Sequence, residues 1–304
     1  MPEVDWGEAE RRLTDRVSVL VGNRSGGYPS GNSVLVRGSS ETIVIDPSVD
    51  VVARGGVPAL RVDAVLNSHA HEDHMPGNGL FPDARVHIHD ADLPGAQSTE
   101  GLMAVYGIRD VGAARAFERM ILEEFHFTPR PDAEGFSDGH VFELGGLAVE
   151  AVHLPGHTRG HSGFRISDDV FFLSDIDLTG FGPYYGDAWS DLEDFEESLR
   201  RVRDEDARFY VTFHQKGIIE GRETFVEMLD RFHAVIDRRH TEMLGFLSQP
   251  RTLDDMADRR FVYRPHVEAP FVSSVERRSA ELHVARMLAR GEARDCGDGR
   301  FQAA

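Results

Sequence analysis

The chain has a single cysteine, Cys296, among its 304 residues. That count excludes a disulfide framework and a cysteine-rich zinc module. A lone thiol in Arg-Asp-Cys-Gly-Asp, with no reactive neighbour in sequence, reads as incidental. Positive charge is scarce too: 33 Lys and Arg against 52 Asp and Glu leave a net charge of −19. A phosphate-backbone binder needs a basic face that releases counterions, and an anionic membrane surface needs the same. No nucleic-acid partner and no membrane partner are therefore expected. No run approaches the roughly 18 apolar residues that cross a bilayer. The acidic segment from Met1 to Arg12 lacks the basic and apolar regions of a signal peptide, so the expected location is cytoplasmic. Internal repeats and low-complexity stretches are missing as well.

What is present is a core-forming pattern, with 40% hydrophobic and 28% charged residues. This length allows one large domain, alone or with an appendage, and the core needs no staple. Alternation and β-branched residues predict strands at 17–21, 33–37, 42–46, 62–66 and 85–89, then at 147–154, 163–167, 170–174 and 209–213. An Asp168-Asp169 turn joins the strands at 163–167 and 170–174. Between the two groups, residues 92–136 read as a helical insertion with Asp110 as an N-cap. A helix starting at Ser190 carries a capping box with Glu193, and a long helix runs from about Arg222 to Leu247. The expected catalytic domain is 1–247. Residues 248–304 form a small helical tail, with a helix at 273–290 closed by Gly291 and an extended stretch that faintly suggests a winged helix.

Four of these strands end in metal-ligand residue types. The strand at 62–66 runs into His69-Ala70-His71-Glu72-Asp73-His74, and that at 147–154 into Gly156-His157-Thr158-Arg159-Gly160-His161. The strand at 170–174 precedes Asp175, and that at 209–213 precedes His214. Sheets flanked by helices commonly place ligands at such strand ends. In an extended loop His69 and His71 can point the same way, and His157 would complete a three-nitrogen set. Asp73, His74 and His214 could address a second ion, with the two oxygens of Asp175 bridging both. Imidazole and carboxylate without thiolate suit two Zn²⁺, with iron or manganese as alternatives.

On these residues the chain resembles the metallo-β-lactamase superfamily over roughly residues 17–240, His-x-His-x-Asp-His being among its most specific motifs. The resemblance implies an α/β fold, an αβ/βα four-layer sandwich with a two-metal site at one sheet edge. It assigns His69, His71 and His157 to the first metal, Asp73, His74 and His214 to the second, and Asp175 to both. Asp46, in Ile-Asp-Pro-Ser, matches a strand-end aspartate that supports the ligands from behind. The chain departs from the family pattern at Thr212-Phe213-His214-Gln215, where a glycine usually flanks the histidine. His71 stands where a flavodiiron-type site has Glu, and Asp175 is a carboxylate that true β-lactamases of the family lack. The segment after Asp175 is not Arg-rich, unlike that of persulfide dioxygenases. What remains is similar to the glyoxalase II and lactonase side.

The expected function is thus a binuclear zinc hydrolase of a small ester, thioester or lactone, using a hydroxide that bridges the metals. Asp73 would orient the nucleophile and shuttle its proton. The alternatives are a mononuclear iron oxidoreductase and a nucleic-acid phosphodiesterase. Around this centre His161 is expected to support the ligands, and Tyr184 and Tyr185 either to donate to an oxyanion or to pack their loop. His87 and His89 should face outward from their strand, and Asp187, Asp191, Glu193 and Asp194 should form a solvated helix start. The 92–136 insertion reads as a lid, a pocket wall or a dimer contact, which leaves a homodimer open. With every ligand at or before His214, the 248–304 tail is expected to be dispensable for the chemistry.

Overall fold

A computed structural model describes residues 7–57, 61–167 and 169–304. The first strands form a seven-stranded sheet in sequential order. It comprises β1 (Glu10–Arg12), β2 (Val17–Leu20), β3 (Ser33–Arg37), β4 (Thr42–Ile45), β5 (Ala64–Leu66), β6 (Arg85–His89) and β7 (Glu134–Phe136). The pairing is antiparallel from β1 to β4 and parallel from β4 to β7. The second sheet holds β8 (Val141–Glu143), β9 (Ala148–His153), β10 (Ser162–Ile166), β11 (Val170–Ser174), β12 (Phe209–Thr212) and β13 (Ile218–Glu220). Only β11 and β12 pair in parallel there.

Strand alternation sorts the core into layers. Val17, Val19, Val34, Val36, Ile43, Ile45 and Leu66 meet Val149, Ala151, Phe164, Phe172 and Val211 between the sheets. The opposite residues, Leu20, Leu35, Val44, Val65, Val86 and Ile88, are covered by helices that bring Leu102, Val105, Phe117 and Ile121. Behind the second sheet, Phe171, Leu173 and Tyr210 pack on Phe195, Leu199, Phe225, Leu229 and Phe232. The result is the expected helix–sheet–sheet–helix sandwich of a metallo-β-lactamase-like fold.

The helices are a single turn α1 (Asn23–Gly26), α2 (Val49–Ala53), α3 (Leu93–Gln97), α4 (Thr99–Tyr106), α5 (Val111–Glu123), α6 (Leu192–Arg203), α7 (Arg222–Phe246), α8 (Leu253–Arg259) and α9 (Val272–Arg290). Among the described residues no helix is long and apolar enough to cross a membrane. Asp110 caps α5 as expected, its side chain accepting from the Ala113 N–H. α3–α5 do not stand apart as an insertion: they are the outer helical layer, and β7 continues the first sheet inside the same segment. The start of α6 differs from the capping box expected at Ser190. Asp191 is the N-cap and accepts from the Glu193 and Asp194 N–H groups, whereas the Ser190 hydroxyl donates to the His157 carbonyl. The expected strand at 62–66 begins at Ala64, and Asp168 lies outside the described residues.

His87 and His89 do not face solvent. Their register with Leu66 and Phe136 puts them on the inter-sheet side. There they are only 7% and 8% exposed, and the His89 ring stacks on His153 at 3.9 Å. The alternation rule predicted two faces correctly; it could not say that the second sheet covers the one that carries histidine.

The tail builds a small core of its own from Met243, Leu247, Met256, Ala280, Val284, Met287 and Ala293. Strands β14 (Arg251–Thr252), β15 (Ala293–Gly297) and β16 (Arg300–Ala303) close it, β15 and β16 forming a wing-like hairpin. Arg286 on α9 pairs with Glu193 and Glu196 of α6, which ties the tail to the second sheet's helical layer. Between α9 and the α4–α5 turn lies a cleft of about 480 Å³, lined also by Gly186 and Ala188.

Candidate metal centre

All four motif-bearing strands end at one edge of the sandwich, where the chain leaves β5, β9, β11 and β12. Two strands turn there through a left-handed non-glycine residue, Asp46 with φ 47° and Ser174 with φ 52°, the kind of strained backbone that clusters at functional sites. Gly156 has φ 118°, and a Cβ at that position would lie 2.2 Å from the Phe195 nitrogen. Only glycine lets the His157 loop lie this close to α6.

The seven motif residues come together as two groups. The ligand atoms of His69, His71, His157 and Asp175 lie within 4.8 Å of one another, as do those of Asp73, His74 and His214. His157 Nε2 is 3.1 Å from both His69 Nε2 and His71 Nδ1, and 3.2 Å from Asp175 Oδ2. The other Asp175 oxygen is 3.0 Å from His74 Nε2. Asp73 Oδ2 lies 3.0 Å from His214 Nε2. All seven residues are at most 8% exposed.

The outward nitrogen of each ring determines what the inward one presents. His157 Nδ1 donates to the Tyr184 carbonyl at 2.9 Å, and His214 Nδ1 to the Gly26 carbonyl at 2.8 Å. His74 Nδ1 lies 2.8 Å from Asp46 Oδ2, and His71 Nε2 lies 2.9 Å from Asp187 Oδ2. Ser68 donates its hydroxyl to Asp46 Oδ2 at 2.6 Å, so it accepts from His69 Nδ1 at 3.0 Å. With these partners holding the single proton of a neutral imidazole, the five inward nitrogens would present lone pairs to a bound cation. Lone pairs facing one another and facing carboxylates at about 3 Å repel unless positive charge lies between them. His74 Nε2 and Asp175 Oδ1, buried and without a hydrogen-bond partner, mark the same demand. The residues fit divalent cations.

The electrostatics agree. Burial opposes ionisation of Asp175, but His74 and His214 outweigh it and hold the carboxyl well below the usual range. Burial would likewise lower His214, yet the Asp177, Asp175 and Asp73 carboxylates push it up to about 10. His161 behaves in the opposite way: burial, then the neighbouring His157, push it down to about 3. Its neutral ring donates from Nδ1 to the Leu154 carbonyl at 2.9 Å and accepts the Asp175 N–H at Nε2 at 3.3 Å. His161 therefore sets the backbone that carries the central carboxylate.

Several residues of this edge have no place in the sequence motifs. Asp92, fully buried after β6, accepts from the Ala70 N–H at 3.0 Å, the Thr158 hydroxyl at 2.6 Å and the Gly160 N–H at 2.7 Å. One carboxylate thus clamps the His71 loop to the His157 loop. Glu72 is 4% exposed. It takes hydroxyl protons from Tyr28 and from Tyr106, whose ring stacks on His71 at 5.1 Å. Burial and then Asp73 push the Glu72 carboxyl up to about 7. Asp187 is 1% exposed rather than part of a solvated helix start. Its signal is tertiary, since only the fold brings it against His71.

Neither tyrosine after Asp175 aims its proton at the metal edge. Tyr184 donates its hydroxyl to Asp187 at 3.0 Å and holds His157 with its carbonyl, so it acts on the ligands from behind. Tyr185 turns the other way and bonds His283 of the tail at 2.9 Å.

The family model described as the metallo-beta-lactamase superfamily matches residues 26–214. The chain belongs to that superfamily. An atrochrysone carboxyl ACP thioesterase from Aspergillus fumigatus is 24% identical over 76% of this chain and 64% of its own length. A hydroxyacylglutathione hydrolase from Methylococcus capsulatus is 31% identical over 48% of this chain and 46% of its own length. The chain thus spans between about half and two thirds of these curated relatives. A metallo-beta-lactamase family protein from Thermus thermophilus superposes with a TM-score of 0.69 at 19% identity. That superposition covers 96% of this chain and 100% of the other, so the likeness in fold extends beyond residues 26–214.

Proposed function

We propose that this superfamily member is a binuclear metal-dependent hydrolase of small-molecule thioesters, with zinc as the metal. The observation that carries the reading is the division of Asp175, one oxygen toward the His157 group and the other 3.0 Å from His74. A carboxylate placed so would serve two ions, the arrangement a two-metal site needs. The choice of thioester over ester or lactone is supported by the names of the two curated relatives, both of which describe thioester cleavage.

His69, His71 and His157 would hold one ion and Asp73, His74 and His214 the other, with Asp175 shared. Bound divalent ions supply Lewis acidity, which makes water nucleophilic near neutral pH and polarises a carbonyl. The chain's own residues do the rest. Asp73, held against His214, orients the nucleophile and accepts its proton. Asp46, Ser68, Asp187 and the Gly26 and Tyr184 carbonyls keep each imidazole in the tautomer that presents a lone pair. Asp92 and His161 fix the loops on which those rings stand. The net charge of −19 speaks against the phosphodiesterase alternative.

The test is metal counting on the purified chain together with hydrolysis of a panel of acyl thioesters, lactones, aryl esters and phosphodiesters. Close to two zinc ions per chain are expected, with activity on thioesters that is lost on chelation and regained on adding zinc. Full activity in the presence of chelator, or hydrolysis confined to phosphodiesters, would overturn the reading.

A further inference from the structure

Four aromatic rings form a continuous arc beside the metal edge. Tyr28, 43% exposed, lies 6.3 Å from the His214 ring and binds Glu72 through its hydroxyl. Phe271 follows at 6.4 Å from Tyr28, and Tyr263 at 6.1 Å from Phe271. Phe181, 39% exposed, completes the arc at 5.5 Å from Tyr263. Phe181 stands on the loop that also carries Tyr184, whose ring is 6.2 Å from His71. One end of the arc therefore abuts the second ligand group, and the loop at its other end reaches the first.

Half of the arc comes from the tail, and a buried carboxylate of the tail holds it in place. Glu276, 1% exposed on α9, accepts from the backbone N–H groups of Phe261, Val262 and Tyr263, at 2.8, 3.1 and 2.6 Å. Phe271 is backed by Phe117 of the outer helical layer at 5.9 Å. Arg239 donates to the Phe181 carbonyl at 2.6 Å and lies over its ring. Among the charges that raise the Tyr263 phenol, after burial, are Asp187, Glu276 and Glu72, and Asp187 backs the candidate ligand His71. A buried carboxylate that takes three backbone donors fixes a loop in one place. The loop it fixes is the one that brings Tyr263 against Phe181 and Phe271.

We propose that this arc is the acyl-binding wall of the site and selects thioesters with an aromatic acyl group, the tail residues Tyr263 and Phe271 supplying the discriminating half. The proposal rests on the thioester reading above. At centroid distances of 5.5–6.4 Å the rings contact one another edge-on or tilted, so they make one aromatic surface against whose exposed members, Tyr28 and Phe181, a flat guest can pack. An acetyl group has no surface to place there.

The experiment compares acetyl and phenylacetyl thioesters of N-acetylcysteamine, so that only the acyl group varies. The wild-type chain is expected to favour phenylacetyl in kcat/KM. Tyr263→Ala should lower that preference about tenfold, the loss falling on KM for the phenylacetyl substrate, with zinc content kept. Tyr263→Phe keeps the ring and should keep the preference. Phe181→Ala, at an exposed position, should act in the same direction and serves if Tyr263→Ala is insoluble. A wild-type preference for acetyl, or an unchanged ratio in the alanine variants, overturns the proposal. If no thioester is hydrolysed, the functional reading fails instead. Calorimetry of phenylacetate against acetate on the zinc-loaded chain then decides the arc, and equal affinities overturn it.

Discussion

The metal edge and the C-terminal tail both bury charge, and they do so to opposite ends. At the edge, His74 Nε2 and Asp175 Oδ1 are buried and left without a hydrogen-bond partner. The lone pairs of five imidazoles converge there, each held from behind. In the tail, Glu276 is satisfied by three backbone donors, and Arg286 by Glu193 and Glu196. His283 lies between Tyr185 and His240. Buried polar groups that satisfy one another make architecture, whereas buried groups that converge unsatisfied make a binding site. The two regions nevertheless share one task, because the fully satisfied Glu276 holds the segment that walls the unsatisfied edge. The expectation that residues 248–304 are dispensable for the chemistry stands untouched, since every candidate ligand lies at or before His214; under the proposal above the tail would bear on substrate choice alone, through Tyr263 and Phe271.

The largest expected effect breaks the comparison at its centre. Asp175→Ala should deplete both metals and reduce thioester hydrolysis to background, whereas His157→Ala should chiefly deplete the first ion. Metal analysis of the two proteins checks this, and equal loss of a single ion in both would refute the bridging role. Glu276→Gln offers the contrast. It should leave the metal content intact while costing about 1–3 kcal/mol of stability, measured by denaturant unfolding, as an amide cannot accept from all three donors.

A second prediction sharpens what holds the edge together. Asp92→Asn keeps the shape, but its amide must face either the Ala70 or the Gly160 N–H whichever way it is turned. Chelator competition should show zinc affinity about 10–100-fold weaker, the usual range for losing a partner behind the ligands. Thr158→Val removes one hydroxyl contact and leaves both backbone donors, so its effect should be smaller. Wild-type affinity in Asp92→Asn would mean that the two loops need no clamp.

Asp92 also shows where the sequence was legible. The motif residues could be read because their chemistry is local: three histidines and an aspartate within six positions, and other ligands just past predicted strand ends. Asp92 stands just past β6 and meets the strand-end criterion equally, but a lone acid carries no spacing that sets it apart. Asp187 was less visible still, since acids before a helix are usually solvated and only the fold sets it 2.9 Å from His71. The strands followed from alternation and the sandwich from the family resemblance, while the 92–136 segment misled because helices that cover a sheet and helices inserted beside one share the same period. Tyr263 and Phe271 gave no signal at all, because their meaning depends on where Glu276 holds the loop.

The smallest predicted effect lies in the tail's histidine pair and tests whether its buried groups are purely structural. Burial, with His240 and Arg286 beside it, holds His283 well below its ordinary range, so the folded chain keeps this ring neutral. Its neighbours are Tyr185, whose hydroxyl donates to Nε2, and His240, which also bonds Glu292. Unfolded, the ring titrates near about 6.5. The contribution to stability is therefore complete above that pH and declines as the pH falls below it, where only the unfolded chain takes up the proton, by about 1 kcal/mol per pH unit. His283→Gln retains an acceptor for Tyr185 and removes the titration. Between pH 6.5 and 5.5 the variant should lose less stability than the wild type, by about 1 kcal/mol in denaturant unfolding, with metal content unchanged at neutral pH. Parallel pH profiles for the two chains would place the acid sensitivity elsewhere and leave the tail's histidines as packing alone.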